Sequence, residues 1–280
     1  MMRKQWNGIW VTELVSDDGA HALVADHGAH VLSWTPAGGE AAFYLSSKSG
    51  YGGSAAIRGG VPIIFPQFGE RGTGKRHGIV RATQWEALGA GVEDGKAVAR
   101  YRFVHEGDAP WPHHAELVFT VTLSGREMEL ALDVKNPSSE SWQFCAALHT
   151  YLQVADIADV RLSGLHNVGY LDQVKGGVPG RQEDALLAID GEIDRIYAAV
   201  AQPLVLEDGA QRLIIDKQGF ADVVVWNPGA AKAAGLADMP AEDYRSFLCV
   251  EAGAIMQPVT LDGGAVWRGV QRFTAAPRAA

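Results

Sequence analysis

What most constrains this chain is how little of it is free to be helical. Very few windows in its 280 residues support a helix of about ten residues or more. Short apolar pieces alternate with turn signals instead. Residues 9–14, 20–26 and 30–35 each read as a strand bounded by Gly, Asp or Pro. Asp17-Asp18-Gly19 and Asp26-His27-Gly28 supply the turns between them. Residues 84–88, 97–104, 115–123 and 127–134 repeat the pattern with β-branched and aromatic side chains. Further short pieces follow, ending in Val223-Val224-Val225-Trp226, which stops at Asn227-Pro228-Gly229. Residues 247–253, 254–261 and 265–275 read as three closing strands. Residues 176–182 read as a glycine-rich loop, and 230–239 as one short helix. No strand–helix alternation of the length a parallel crossover needs is present. The expectation is therefore an all-β fold of antiparallel strands, a sandwich or barrel, in one domain over residues 1–280. Residues 275–280 are expected to fray.

Charge narrows the partners. There are 24 Lys+Arg against 33 Asp+Glu, a formal charge of -9. Nucleic acid is excluded on this ground, since a backbone binder needs a basic face. Anionic membrane surfaces are disfavoured for the same reason. No apolar run reaches the roughly 18 residues of a membrane span, and no signal-peptide core follows Arg3-Lys4. Cys145 and Cys249 sit in apolar runs outside any CxxC pair, which reads as free core thiols in a reducing cytoplasm. No metal or cofactor motif is present: neither GxGxxG after a strand, nor a Walker loop, nor HExxH.

One stretch stands against the acidic background. Residues 57–81, IRGGVPIIFPQFGERGTGKRHGIVR, hold Arg58, Arg71, Arg76, Arg81 and His77 together with six glycines and two prolines. Local potential, more than net charge, decides whether a small anion binds. The stretch reads equally as an anion site or as a glycine-rich loop whose arginines cap carbonyls and pair with acids.

Two titratable residues lie inside apolar runs. His149 ends Phe144-Cys145-Ala146-Ala147-Leu148, and Glu251 lies within Phe247-Leu248-Cys249-Val250-Glu251-Ala252-Gly253. A buried imidazole needs hydrogen-bond partners, and a buried carboxylate is costly unless paired or functional. A satisfied core histidine and a solvent-facing strand glutamate are the plain alternatives. Brought together, the two would be a minimal acid/base pair with no serine nucleophile of a GxSxG turn. Such a pair is enough to open and close a sugar ring.

The chain resembles the glucose-6-phosphate 1-epimerases of the aldose 1-epimerase group. The resemblance rests on Gly28-Ala29-His30-Val31-Leu32-Ser33-Trp34, on Ile57-Arg58-Gly59-Gly60-Val61-Pro62 with Phe65-Pro66-Gln67-Phe68-Gly69, and on His77-Gly78-Ile79-Val80-Arg81. Leu148-His149-Thr150-Tyr151, Asp194-Arg195-Ile196-Tyr197, Val225-Trp226-Asn227-Pro228 and Cys249-Val250-Glu251-Ala252-Gly253 follow in family order. The resemblance implies the large antiparallel β-supersandwich of galactose mutarotase, and interconversion of the anomers of a hexose 6-phosphate without a cofactor. It implies Glu251 as general base, His149 as general acid, His77 on the sugar, and Arg58 and Arg81 on the phosphate. It also implies a sugar-holding aspartate, with Asp194 favoured by spacing and Asp172 the alternative. Arg76 stands where the family often has glutamine, and is a third candidate for the phosphate. Arg71 is expected to be solvated. A cytoplasmic monomer is expected. The competing readings are a mutarotase for unphosphorylated aldoses, with no need of two arginines, and a non-catalytic sugar-phosphate-binding domain, with no need of a matched acid and base.

Overall fold

The computed structural model describes residues 1–209 and 211–276. Its architecture is three antiparallel sheets. A four-stranded sheet runs in chain order through Met2–Trp6, Ile9–Val15, His21–Ala25 and Val31–Thr35. A nine-stranded sheet carries the long strands Lys96–Glu106, His114–Ser124, Glu127–Lys135 and Val266–Ala276 near one end. An eight-stranded sheet carries Phe247–Leu261 between Trp142–Leu148 on one side and Asp222–Asn227 on the other.

Period-two burial explains why the two large sheets face each other. In His114–Ser124 every second residue is buried, from Ala115 through Leu117, Phe119 and Val121 to Leu123. Each such side chain points to one face of the pleat. They meet Leu148, Val223, Val225, Leu248, Val250 and Ala252 from the eight-stranded sheet in one apolar core. Phe144 against Trp267, with ring centroids 5.4 Å apart, is one direct contact between the sheets.

The antiparallel β expectation is met, with local differences. Residues 247–261 form one strand rather than two, bent where its register with Trp142–Leu148 shifts between Phe144 and Ala146. The Asp222 carboxylate holds that bend by accepting the N–H groups of Ile255 at 2.9 Å and Met256 at 2.8 Å. Residues 176–182 are not all loop: Val178–Arg181 pairs with Gly169–Asp172. Pro179 is tolerated because this strand lies at a sheet edge. The expected helix over 230–239 shrinks to Gly229–Ala233, the one α-helix of the described residues, and a turn through Gly235 and Leu236 follows it. Met2–Trp6 was not anticipated as a strand; it forms a hairpin with Ile9–Val15 through Asn7 and Gly8, both at positive φ. Of the tail expected to fray, Ala275 and Ala276 end the last strand opposite Leu213 and Arg212, and residues 277–280 lie outside the described residues. No helix among the described residues is long and apolar enough to cross a membrane.

Candidate active site

Alternation along Phe247–Leu261 sorts its side chains onto two faces. Leu248, Val250, Ala252 and Ala254 enter the inter-sheet core. Phe247, Cys249 and Ile255 face the other way, in separate small clusters. Glu251 belongs to this second face, which the 57–81 segment and neighbouring strands cover, so its relative exposure is only 1%. The solvent-facing reading of this glutamate therefore fails: alternation turns it away from the core, but not into water.

His149 sits where Trp142–Leu148 ends and the chain resumes at Tyr151–Gln153. Its backbone N–H donates to the Pro62 carbonyl at 2.9 Å. Its ring stacks on Tyr151, centroids 4.9 Å apart and planes at 13°. Nε2 lies 3.3 Å from Oε1 of Glu251. Nδ1 of His149 and Oε2 of Glu251 are buried without a protein partner among the described residues. A paired, buried acid and base that each keep an unused polar atom are equipped to meet a ligand.

Burial, then His77, Arg81 and Arg58, holds the His149 pKa well below the ordinary imidazole value. Burial, reinforced by Asp194 and opposed by Arg81, holds Glu251 well above the ordinary carboxyl value. With only protein charges around them, both groups favour their neutral forms. The pair thus carries one exchangeable proton, and titrates as a pair.

A cavity of about 730 Å³ opens over this pair. It is lined by Arg58, Arg71, Arg76, His77, Arg81, His149, Tyr151, Asp194, Trp226 and Glu251, with Gln173 and Lys232 among the others. His77 has φ 63°, and Gly78 beside it φ 77°. A Cβ at Gly78 would lie 1.9 Å from the Phe65 carbonyl oxygen, so the segment can approach this closely only as glycine. The Gly69 N–H donates to Nδ1 of His77 at 3.2 Å. That bond leaves the proton of the neutral ring on Nε2, making it a donor. Burial, with Arg81, Arg76 and Arg58, lowers the His77 pKa to about 3, so the ring is neutral.

The arginines differ. Arg58 is engaged: Nε and Nη2 reach Oδ2 of Asp238 at 3.1 and 3.0 Å, and Nη1 donates to the Tyr151 hydroxyl at 2.9 Å. Burial works against its charge, but Tyr151 and Asp238 more than offset this. Among the described residues its guanidinium has no further hydrogen bond or ion pair. Arg81 donates to the Arg76 carbonyl at 3.2 Å, and neither Arg81 nor Arg76 forms an ion pair with a carboxylate among the described residues. Burial pulls the Arg81 pKa down, and Tyr151 partly opposes it. Arg71 is exposed, as expected of a solvated residue, but it also lines the cavity. Of the two candidate aspartates, Asp194 lines the cavity, and burial raises its pKa. Asp172 is turned to Arg195 and Lys175, each 3.7 Å away.

Two glutamines fasten the surroundings. Gln271, 1% exposed on Val266–Ala276, accepts from Thr150 Oγ1 at 2.8 Å and donates to the Val250 carbonyl at 3.1 Å. It thus ties the neighbours of His149 and Glu251 together from the opposite sheet. Gln67 accepts from Gly74 N at 2.8 Å, and donates to Gly69 O at 3.2 Å and Gly74 O at 3.3 Å. The turn carrying Arg71 wraps around it. Neither glutamine was singled out in the sequence, nor were Tyr151, Asp238 and Lys232. Tyr151 and Gln67 lay within recognised motifs; Gln271 and Asp238 carry no local signal.

The sequence profile of the aldose 1-epimerase family matches residues 11–274. A Cenchrus ciliaris protein named "Putative glucose-6-phosphate 1-epimerase" is 32% identical over 263 residues, covering 90% of this chain and 80% of its own. An Escherichia coli K12 protein of the same name is 34% identical over 238 residues, covering 82% and 78%. A crystal structure from Salmonella typhimurium, described as a "putative mutarotase", superposes with a TM-score of 0.90 at 27% identity, covering 99% of this chain and 93% of that one. Over nearly its whole described length, this chain is a member of the aldose 1-epimerase family of enzymes.

Proposed function

We propose that this chain interconverts the α and β anomers of a hexose 6-phosphate by opening and closing the sugar ring. The observation that carries this reading is a buried His149–Glu251 pair on the floor of a cavity whose wall presents Arg81 and Arg76, neither in an ion pair with a carboxylate among the described residues. A neutral sugar has no use for such a wall. The names of the relatives support the same substrate class.

Glu251 takes the C1 hydroxyl proton as general base, while His149 gives a proton to the ring oxygen as general acid. The C1–O5 bond breaks, the C1 oxygen becomes the aldehyde carbonyl, and C1–C2 rotation exposes the other face. Reversal of the two proton transfers closes the ring. The open-chain complex then holds protonated Glu251 and neutral His149, the forms that burial favours in the protein alone. The raised Glu251 pKa makes its anion a stronger base, and the lowered His149 pKa makes its cation a stronger acid. The Nε2–H of His77 donates to the sugar, and Asp194 accepts from a hydroxyl. Arg81, Arg76 and the remaining N–H groups of Arg58 hold the phosphate oxygens.

Anomer-exchange NMR tests the reading. Pure protein accelerates exchange of glucose 6-phosphate more than exchange of glucose. An unchanged spontaneous rate with both sugars sinks it, and full 6-phosphate activity in Arg58→Ala transfers it to unphosphorylated aldoses.

A further inference from the structure

The arginine wall and the proposed general acid are one electrostatic unit. Tyr151 connects them physically: its hydroxyl takes the Arg58 Nη1–H at 2.9 Å, and its ring lies flat on His149. The charged and titratable groups around His149 come from three directions. Glu251, 3.3 Å away, comes from Phe247–Leu261. His77, with its ring centroid 5.7 Å away, and Arg58 and Arg81 come from the 57–81 segment. Tyr151 comes from the next short strand. Trp226 closes the fourth side edge-on and carries no charge.

We propose that the substrate's phosphate activates this site as well as anchoring substrate, so that an inorganic dianion seated on the arginine wall turns on anomer exchange of an unphosphorylated aldose. This rests on the hexose-phosphate reading above. To protonate a ring oxygen, His149 must first carry a second ring proton. Burial opposes that cation, and so do Arg81 and Arg58. A dianion between those guanidiniums cancels their repulsion. Glu251 responds less, because Arg58 is joined to His149 through Tyr151, whose ring stacks on the imidazole and not on the carboxyl. The shared proton therefore shifts from Oε1 of Glu251 toward Nε2 of His149. No proton is gained or lost: carboxylic acid and imidazole become carboxylate and imidazolium, the working forms of base and acid. Binding energy from a remote part of the substrate is thereby used at the reacting bond, which raises kcat and not only affinity.

The test uses the intact protein, α-glucose, and sulfate. Sulfate is a dianion too weakly basic to speed mutarotation appreciably in solution. Enzyme-dependent glucose exchange is measured by NMR against rising sulfate, with chloride at equal ionic strength and enzyme-free blanks. The expected result is an increase in kcat/KM for glucose of about tenfold, the effect of one pKa unit at the acid. Over the same range sulfate inhibits glucose 6-phosphate turnover competitively. Inhibition of the 6-phosphate reaction with no gain on glucose overturns the proposal, as does no effect on either substrate. Failure of the hexose-phosphate reading looks different: glucose 6-phosphate itself is then not accelerated.

Discussion

Glu251 and Arg81 line the same cavity, yet the backbone beneath them is different in kind. Glu251 sits in a strand paired on both sides, opposite Val224 of Asp222–Asn227, with Leu148 and Tyr151 registered to its near neighbours Ala252 and Cys249. Arg81 ends a segment laddered only in its first part, where Ile63–Ile64 pairs with Trp142–Leu148; beyond that, Phe65 and Gly78 share an isolated bridge, the Cys145 N–H donates to the Pro66 carbonyl, and Gln67 and Gly69 tie the turn. The floor is anchored from behind by Gln271, a residue of the opposing sheet. Between Phe65 and Arg81 the wall is held mostly from within, by Gln67, by Gly69 on His77 and by its own turn bonds. Proton transfer needs reacting atoms held within a fraction of an ångström, which a paired strand provides. Holding a phosphate needs charge and several N–H groups, and long arginines on a loop meet that need with looser placement. On the proposed roles, the chemistry rests on the rigid part and substrate choice on the irregular part.

The hardest blow to the floor is Glu251→Gln. It keeps the shape and removes the base, so kcat for glucose 6-phosphate falls about a thousandfold while KM stays within about threefold. Retained activity breaks the assignment. The wild-type pH profile bears on the same pair. A second proton must enter at His149, whose pKa burial depresses, so the acid limb of kcat/KM lies below the ordinary imidazole range. The shared proton leaves from a pair in which the Glu251 pKa is raised, so the alkaline limb lies above the ordinary carboxylate range.

Arg81→Ala strikes the wall. It removes a half-buried guanidinium that forms no ion pair with a carboxylate among the described residues, and kcat/KM for glucose 6-phosphate falls about a hundredfold, the cost of giving up one desolvated charge interaction. The ratio of 6-phosphate to glucose turnover falls with it, because in the proposed roles this guanidinium serves the phosphate and not the sugar ring. An equal fall on both sugars would mean that the wall supports the floor, and the division between them would go.

The floor was the more legible part of the site. An imidazole and a carboxylate inside apolar runs are anomalies that burial physics singles out, and both were found buried and adjacent. Glu251 still needed three dimensions, because alternation alone left its outward face open to water. The wall was legible in composition only. Four arginines read equally as an anion site or as a loop that caps carbonyls and pairs with acids, and nothing in the order of residues says that Arg58 is tied to Asp238, 180 positions away. Nothing there says that Arg81 is not. Spacing favoured Asp194 over Asp172, and the cavity contains the former. The fold followed from strand pattern where turns were strong, as at Asn227-Pro228-Gly229. It failed at Val178–Arg181, where Gly and Pro read as loop and edge pairing decided otherwise. Asn7-Gly8 is itself a hairpin signal, and it joins Met2–Trp6 to Ile9–Val15.

Gln271→Met tests whether the floor depends on the opposing sheet. The substitution keeps the volume and strands the Thr150 hydroxyl and the Val250 carbonyl, at a cost in stability of about 1–3 kcal/mol. Packing damage alone would stop there. Positioning predicts more: kcat per folded molecule falls about tenfold with KM unchanged, since the two hydrogen bonds of Gln271 fix the neighbours of His149 and Glu251. Denaturant titration and active-fraction kinetics separate the two, and a stability loss with full kcat removes Gln271 from the mechanism.

The mildest change is Gln67→Met, its counterpart in the wall. Gln67 uses both polar atoms of its amide on Gly69 and Gly74, and a Cβ at Gly72 would lie 2.5 Å from its Oε1, so the turn is folded directly onto this side chain. Without those bonds the turn is freed, and its Glu70, Arg71 and Gly72 are already exposed, so the stability cost stays below about 1 kcal/mol. The effect falls on the arginines that the turn carries and precedes. KM for glucose 6-phosphate rises about threefold, the effect of removing one exposed ionic interaction of about 0.7 kcal/mol, with kcat held within twofold. The two glutamine variants thus give opposite kinetic signatures, kcat from one and KM from the other. If Gln67→Met lowers kcat as Gln271→Met does, the tie from Gly69 to His77 dominates, and the boundary between floor and wall runs on the far side of His77.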